Sequence, residues 1–160
     1  MNIEFSQTIQ STFDAEHLWR LVVEAFEFSQ QSPLWPNDLE SLRCEELEEG
    51  AAVRAVYHIG PLDIPQQHRI QTFDRDARTM AYRTGPDNPL DGGGRLNVEP
   101  IERGSQLCWT GEYVTGSRPD SFGAVVFIKG WFERRFFDQL EENLRRLERI
   151  APEDEMRLSA

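Results

Sequence analysis

Three histidines and two cysteines are the residues of this 160-residue chain best suited to acid–base or metal chemistry. His68 is the strongest candidate, because imidazole titrates near neutral pH and burial favours its neutral, base-competent form. We predict that His68 is a catalytic acid or base; the alternative is a structural histidine. Only His17 and His58 remain, and Cys44 and Cys108 lie far apart, so we expect no metal, no cofactor and reduced thiols.

A charged pair, Lys129 and Glu133, lies one helical turn apart inside an otherwise apolar stripe. Charges rarely enter a core without a partner or a role. One hypothesis is an ion pair aimed into a cavity mouth, where it would activate water or fix a ligand carbonyl. The alternative is that Gly123 and Gly130 loosen the start of the helix, so that both side chains reach solvent.

The stripe belongs to the last long segment, residues 122–150, which the pattern predicts to be one amphipathic helix. Its apolar positions recur at helical spacing: Phe122, Val125, Val126, Phe132, Phe136, Leu140, Leu144, Leu147 and Ile150. Phe127 and Trp131 fall off the stripe and are predicted to cover a second apolar surface or a dimer contact. Residues 1–150 are expected to form one domain, and residues 151–160 a disordered tail.

Strand-like sequence precedes this helix. Residues 3–10 alternate apolar and polar side chains as a strand does, and Asp14 offers the N-cap of a helix of about three turns. Pro33 and Pro36 then favour a short irregular or helical piece that would expose Trp35. Breaks in the pattern leave six further strand segments, at 40–47, 52–59, 66–73, 79–84, 95–101 and 105–115. Their short connections predict an antiparallel meander and an α+β fold, with the last helix covering one face of the sheet.

Alternation along these strands assigns an aromatic set to the covered face: Tyr57, His68, Tyr82, Trp109 and Tyr113. On the same reasoning, Ile70 and Thr72 share the face of His68. The assignment is wrong if His58, rather than a residue on the Tyr57 face, pairs with His68, because paired antiparallel residues point to one side. The aromatic set suits a planar, partly polar ligand, and plain core packing is the alternative.

The charge balance argues against some classes of partner. Asp and Glu number 28 against 17 Lys and Arg, a formal net charge of −11, so the surface repels nucleic acid and anionic membranes. No apolar run reaches the roughly 20 residues of a membrane-spanning helix, and the N-terminus lacks the features of a signal peptide. We therefore expect a cytoplasmic protein with no nucleic-acid partner and no membrane insertion.

The element order and several short segments resemble the polyketide cyclase/dehydrase-like branch of the START-like, or SRPBCC, superfamily. The segments are residues 72–74, 80–83, 96–100, 107–113 and 140–144. The resemblance implies a helix-grip fold of order β-α-α-β6-α, in which a seven-stranded curved antiparallel sheet wraps around a long C-terminal helix. It also implies a deep apolar cavity for a hydrophobic or aromatic small molecule. With His68 as the catalytic residue, the candidate ligand-binding residues are Trp35, Tyr57, Ile70, Tyr82, Trp109, Tyr113, Lys129, Phe132, Glu133 and Phe136.

The activity stays open, because one fold hosts many functions. A cyclase would hold an enolisable polycarbonyl chain, with His68 and the tyrosines moving protons for aldol closure and dehydration. A non-catalytic carrier or sensor for a quinone, isoprenoid or fatty acyl compound would need apolar volume and a gate, for which residues 60–65 and 85–94 are candidates. A protein-interaction module around Trp35 is the third alternative. We expect a monomer or a homodimer.

Overall fold

The computed structural model describes residues 2–36, 40–59, 61–115 and 129–158, with side chains except at 40, 41, 62, 115, 132, 133 and 152–158. The elements are β1 (Asn2–Ser11), α1 (Ala15–Glu27), β2 (Glu40–Arg43), β3 (Ala52–Ile59), β4 (Leu62–Asp74), β5 (Thr79–Thr84), β6 (Leu90–Ile101), β7 (Gly104–Thr115), a π-helical turn (Phe132–Phe136) and α2 (Phe137–Leu158). The strands form one antiparallel sheet in the order β1-β7-β6-β5-β4-β3-β2. The expected α+β fold with a seven-stranded antiparallel sheet is confirmed.

Helix α1 forms one wall of the core. Asp14 caps it, since its carboxylate accepts a hydrogen bond from the His17 backbone N–H at 2.7 Å. The inward face carries the buried residues Ala15, Leu18, Trp19, Val22, Val23, Ala25 and Phe26. This face packs over β6 and β7, and α1 also contacts β2 at the far edge of the sheet.

The connection between α1 and β2 is irregular. Residues 28–36 form turns and bends where a second short helix was one alternative, and residues 37–39 lie outside the described chain. The Ser29 hydroxyl donates to the Leu42 carbonyl at 2.9 Å and accepts from the Leu42 N–H at 3.0 Å. These bonds satisfy backbone groups on the free edge of β2, so the segment is held in place without helical hydrogen bonds.

Two segments expected as gate loops belong largely to strands. Because β4 begins at Leu62 and β6 at Leu90, most of 60–65 and the second half of 85–94 are paired. The run of glycines at 92–94 is typical of a loop and concealed the start of β6. A Cβ at Gly92 would lie 2.0 Å from the Glu112 carbonyl oxygen, so the close approach of β6 and β7 requires glycine there. The Gln66 amide also bonds the Leu90 carbonyl and N–H at 3.0 and 3.1 Å. The predicted extent of both loops was therefore wrong.

Strand β4 contains one irregularity. Residues 70 and 72 pair with consecutive residues of β5, so Gln71 is an extra residue in the ladder, a β-bulge. The bulge reverses the alternation that follows it. Thr72 is consequently exposed, and the expectation that it shares the face of His68 was wrong.

The C-terminal helix departs from a regular stripe at its start. The π-helical turn is wider than an α-helical turn and holds about one more residue. Residues before it are therefore rotated relative to a constant 3.6-residue repeat. Trp131, expected off the stripe, is buried, and Lys129, expected on it, is exposed. The exposed Lys129 agrees with the alternative in which its side chain reaches solvent. The inward position of Trp131 was not predicted, because the sequence pattern assumed one uninterrupted α-helix.

The same helix ends later than expected. It continues past Ile150 and Pro152 to Leu158, through most of the segment predicted as a disordered tail. Residues 122–128, the predicted first turns, lie outside the described chain. Where it passes the end of β1, the Glu148 carboxylate accepts hydrogen bonds from the Ser11 hydroxyl at 2.8 Å and the Thr12 N–H at 3.1 Å. These bonds fasten the helix to the first strand of the sheet.

Candidate functional site

His68 enters the interior from β4. Its direct partner across the ladder is Val53, which shares the covered face with Tyr57 on β3. His58 pairs instead with Asp63, and its Nδ1 lies 2.7 Å from the Asp63 carboxylate near the surface. The pairing confirms the predicted face of His68, which is only 4% exposed.

Three polar atoms meet at this point in the core. His68 Nε2 lies 3.3 Å from the Tyr57 hydroxyl oxygen and 3.4 Å from that of Tyr113, and the two hydroxyl oxygens are 3.4 Å apart. All three residues are buried. A well-formed hydroxyl hydrogen bond is about 2.7–2.8 Å long. These contacts are all longer, so the three groups, which we call the polar triangle, hold one another loosely.

His68 is neutral at physiological pH. Burial lowers its pKa from 6.5 to about 4, because a charged imidazole loses its hydration in the core. A hydrogen bond to the Val53 backbone has the opposite effect and raises the pKa, but burial is the larger cause. Nε2 is the ring atom that faces the two hydroxyls. In the neutral tautomer that carries its proton on Nδ1, Nε2 presents a lone pair that can accept a proton or a hydrogen bond.

Aromatic rings surround the polar triangle. Tyr82 stands edge-on to His68 with ring centroids 5.1 Å apart, and Trp131 stacks on Tyr57 at 5.6 Å. The Tyr82 hydroxyl accepts a hydrogen bond from Trp109 Nε1 at 2.9 Å, which orients both rings. The predicted inner wall is confirmed as a buried cluster: Tyr57, His68, Tyr82, Trp109 and Tyr113.

Trp35 is buried rather than exposed, with 3% of its surface accessible. Three ring centroids lie 5.1–6.0 Å from its own, those of Phe26, Trp109 and Phe136. Helix α2 holds its segment, because Asn143 Nδ2 donates to the Leu34 carbonyl at 3.0 Å. The expectation of an exposed Trp35 anchor was wrong, because the irregular segment turns the indole into the core. The interaction-module alternative thereby loses the aromatic residue on which it rested.

The space enclosed by these rings is small. The cavity has a volume of about 20 Å³ and is lined by Phe26, Trp35, Leu42, Val53, Tyr57, His68, Ile70, Tyr82 and Trp109. Such a volume accommodates about one water molecule. The expected deep cavity is therefore closed here, and a larger ligand requires the lining side chains to move apart.

A larger depression, of about 870 Å³, lies on the surface beside β2. Its lining includes Phe28, Cys44 and exposed glutamates such as Glu45 and Glu46. Burial raises the pKa of the Cys44 thiol, which disfavours the reactive thiolate. The interior has three convergent buried polar groups, so it is the better candidate site.

The remaining predicted ligand residues divide into two groups. Ile70 lines the cavity, and the Phe136 ring centroid lies 5.7 Å from that of Trp109. Lys129 is exposed, whereas the side chains of Phe132 and Glu133 lie outside the described part of the chain. The structure thus brings the two apolar residues to the cluster and leaves the Lys129 side chain exposed.

Four residues of the site were not predicted from the sequence: Phe26, Leu42, Val53 and Trp131. Phe26 lies on the apolar face of α1 and Val53 on the face of Tyr57, so their periodicity carried a signal. Trp131 carried none, because the π-helical turn that rotates it inward has no sequence pattern of its own.

Among the described side chains, no group of three or more His, Cys, Asp or Glu is placed to hold a metal ion. No helix in the described ranges is both long and apolar enough to cross a membrane. Cys44 and Cys108 are free thiols.

The sequence matches the family described as "Polyketide cyclase / dehydrase and lipid transport" over residues 2–151. The chain belongs to this family. No curated protein matches the sequence significantly. The matched range of residues contains the sheet, α1 and most of α2, and it includes every residue of the polar triangle.

Solved structures share the helix-grip fold of this family. ZhuI aromatase/cyclase from Streptomyces sp. R1128 is 17% identical, covers 92% of this chain and 96% of its own, and has a TM-score of 0.64. Norcoclaurine synthase from Thalictrum flavum, in complex with dopamine and hydroxybenzaldehyde, is 12% identical with 92% and 86% coverage and a TM-score of 0.64. TTHA0849 from Thermus thermophilus is 16% identical with 94% and 99% coverage and a TM-score of 0.65. At these identities the likeness shows the fold alone.

Proposed function

We propose that this polyketide cyclase/dehydrase-family protein binds a small aromatic compound between the sheet and the C-terminal helix, with an oxygen atom of the compound at the polar triangle. The observation that carries the proposal is the set of 3.3–3.4 Å contacts among Tyr57, His68 and Tyr113. Buried polar groups with long, weak bonds gain stability when an oxygen atom enters and forms shorter ones.

The polar triangle defines the chemistry of that oxygen. His68 Nε2 accepts a hydrogen bond, and the tyrosine hydroxyls can donate or accept. A phenolic hydroxyl fits, because its proton goes to Nε2 while its oxygen accepts from Tyr57 or Tyr113. A carbonyl oxygen fits as well, since it can accept from both tyrosines. The surrounding aromatic faces supply stacking area for a planar ring.

Binding requires the closed core to open, because a cavity of about 20 Å³ holds no aromatic ring. Trp131 is the side chain that we expect to move. It stacks on Tyr57 and directly precedes the π-helical turn, and such turns often occur at functional sites. Its displacement would place a ligand ring against Tyr57, beside the polar triangle.

Acid–base catalysis at the same site is a second candidate, favoured by the neutral state of His68. A carbonyl held by Tyr57 and Tyr113 is polarised, which acidifies the adjacent carbon, and Nε2 can take up the released proton. Aldol closure and dehydration of a polycarbonyl chain use these steps. With a pKa of about 4, Nε2 is a weak base, so the tyrosines would supply much of the activation. A carrier would use the same ring site without this proton transfer.

Ligand fluorescence titrations with naphthalene and 2-naphthol test the binding proposal. We expect 2-naphthol to bind the wild-type protein and to bind Tyr113→Phe roughly tenfold more weakly, the loss of one good hydrogen bond. His58→Gln is the control and should bind like the wild type, because His58 lies at the surface. Naphthalene should not distinguish the three proteins. Equal affinity of 2-naphthol for the wild type and Tyr113→Phe contradicts the proposal.

The His68→Gln variant distinguishes a catalytic function from that of a non-catalytic carrier. A synthetic poly-β-ketone thioester is the probe, and cyclised product is measured alongside binding. Catalysis predicts that the variant binds the thioester but loses turnover. Turnover that is unchanged in His68→Gln rejects the catalytic candidate, and binding without turnover by the wild type favours the carrier.

A further inference from the structure

We infer that the indole N–H of Trp35 is a second polar anchor for the ligand, so that the preferred compounds are planar aromatics with oxygen at two opposite edges. This inference rests on the proposed function and specifies its ligand class. It also separates such compounds from the isoprenoid and fatty acyl chains that a carrier would hold.

The first observation is an unused hydrogen-bond donor. Trp35 Nε1 is buried and has no hydrogen-bond partner in the described part of the chain. Buried indole N–H groups usually find an acceptor. Trp109, in the same cluster, follows this rule, since its N–H donates to the Tyr82 hydroxyl at 2.9 Å. Trp35 departs from the rule although it lines the same cavity.

The second observation is the position of Trp35 relative to the polar triangle. Its ring contacts Trp109 at 6.0 Å, Trp109 contacts Tyr82 at 6.5 Å, and Tyr82 contacts His68 at 5.1 Å. Trp35 and His68 therefore line the cavity at separate places, connected through the ring contacts of Trp109 and Tyr82. A planar compound in this space has the polar triangle at one edge and the indole at the other.

The third observation is that the backbone beside Trp35 is fixed by other groups. The Leu34 carbonyl accepts from Asn143 Nδ2 at 3.0 Å, and the Leu34 N–H donates to the Ser32 hydroxyl at 3.2 Å. These bonds place the indole in the cavity wall without using its N–H. A donor held in position before binding loses little entropy when an acceptor arrives.

The ligand class follows from the two anchors. One edge must carry a hydroxyl or carbonyl for the polar triangle, and the other must carry an acceptor for Trp35. Bicyclic or tricyclic phenols and quinones with oxygens at opposite edges meet both requirements. An aromatic compound with one oxygen leaves the indole N–H without an acceptor, so it should bind more weakly.

Trp35→Phe and its matched control Trp19→Phe test the inference. Trp19 is also buried, and its Nε1 also lacks a hydrogen-bond partner in the described chain. It stacks on Phe73 at 5.8 Å and does not line the cavity. Both substitutions remove a buried indole N–H, but only Trp35 lines the cavity.

The probes are 2-naphthol and 2,6-dihydroxynaphthalene, which differ by one hydroxyl at the opposite edge. We expect the wild type and Trp19→Phe to bind the diol roughly tenfold more tightly than 2-naphthol, a difference of about 1.4 kcal/mol. Trp35→Phe should bind the two compounds alike. A preference for the diol that persists in Trp35→Phe, or that disappears equally in Trp19→Phe, overturns the inference.

Failure of the inference is distinguishable from failure of the proposed function. Wild-type protein that binds 2-naphthol through Tyr113 but shows no preference for the diol rejects the second anchor alone. Wild-type protein that binds neither compound rejects both.

If Trp35→Phe does not fold, ¹⁵N-labelled wild-type protein provides the readout. The four indole N–H resonances can be assigned by elimination from single substitutions of the other tryptophans. The Trp35 resonance should move downfield with the diol and stay in place with 2-naphthol. A Trp35 resonance that responds identically to both compounds contradicts the inference.

Discussion

The hydroxyl oxygen of Tyr82 lies 2.9 Å from the indole Nε1 of Trp109, at the distance of a well-formed hydrogen bond. The Tyr113 hydroxyl, in the same core, is 3.4 Å from both of its neighbours in the polar triangle. Two tyrosines of similar burial thus differ in how short the hydrogen bonds of their hydroxyls are. The first accepts a short hydrogen bond, and the second contacts His68 and Tyr57 at a longer distance beside the proposed ligand site.

Removing these two hydroxyls should therefore have unequal effects on stability. Tyr82→Phe leaves the buried Trp109 N–H without its acceptor, which should lower the free energy of unfolding by about 1–3 kcal/mol. Tyr113→Phe should cost less than about 1 kcal/mol, because the hydroxyl contacts that it removes from His68 and Tyr57 are long. Urea unfolding of both variants measures the difference, and a larger loss in Tyr113→Phe would show that the polar triangle is structural.

Acid should destabilise the protein through His68. Its pKa is about 4 in the folded state and near 6.5 when unfolded, so the unfolded chain binds the proton more readily. The contribution to stability is complete above pH 6.5 and is lost as the pH falls toward 4. A difference of about 2.5 pKa units corresponds to roughly 3 kcal/mol.

Urea unfolding at pH 7, 6, 5 and 4 measures this contribution. Wild-type protein should lose roughly 3 kcal/mol more across this range than His68→Gln, whereas His58→Gln should follow the wild type. Parallel pH profiles for the wild type and His68→Gln would show that His68 is not held neutral by burial.

The contact between α2 and β1 should depend on Glu148. Its pKa is lowered despite burial, by hydrogen bonds from Ser11 and Thr12 and by Arg145. Glu148→Ala should cost about 1–3 kcal/mol, because the hydrogen bonds are charge-assisted. Glu141→Ala is the control; its ion pair with Arg145 is half-exposed and should contribute less than about 1 kcal/mol. Chemical unfolding of both variants compares them, and equal losses would refute a special role for Glu148.

Close approach of β6 and β7 should make Gly92 intolerant of substitution. An added Cβ would lie 2.0 Å from the Glu112 carbonyl oxygen, a backbone atom that cannot move alone. We expect Gly92→Ala to cost more than about 2 kcal/mol. A Cβ added at Gly85 would meet no atom within 4 Å beyond its chain neighbours, so Gly85→Ala should be nearly neutral. Thermal unfolding of the pair tests this, and similar melting temperatures would contradict the strand geometry.

The sequence predicted strand bounds and buried faces correctly where the spacing of apolar residues stays constant through a helix or strand. Alternation located β3 at residues 52–59 and β5 at 79–84 with the bounds that the structure shows. It also placed His68 and Tyr57 on one face, because the covered side of a half-buried sheet must be apolar at every second residue.

The sequence failed where the period changes inside an element. The bulge at Gln71 and the π-helical turn before α2 each insert a residue, so the phase of every residue beyond them shifts. The burial of Trp35 was not predicted for a different reason. Its burial depends on Asn143, more than a hundred residues away, holding the Leu34 carbonyl, and local pattern contains no such contact. The closed cavity likewise depends on how several distant rings pack together.

The most direct test of the account is a crystal structure of the protein with 2-naphthol. We expect the naphthol oxygen within about 3 Å of His68 Nε2 and of at least one of the Tyr57 and Tyr113 hydroxyls, with the Trp131 ring displaced from Tyr57. The account is contradicted if 2-naphthol binds elsewhere while the polar triangle keeps its 3.3–3.4 Å contacts.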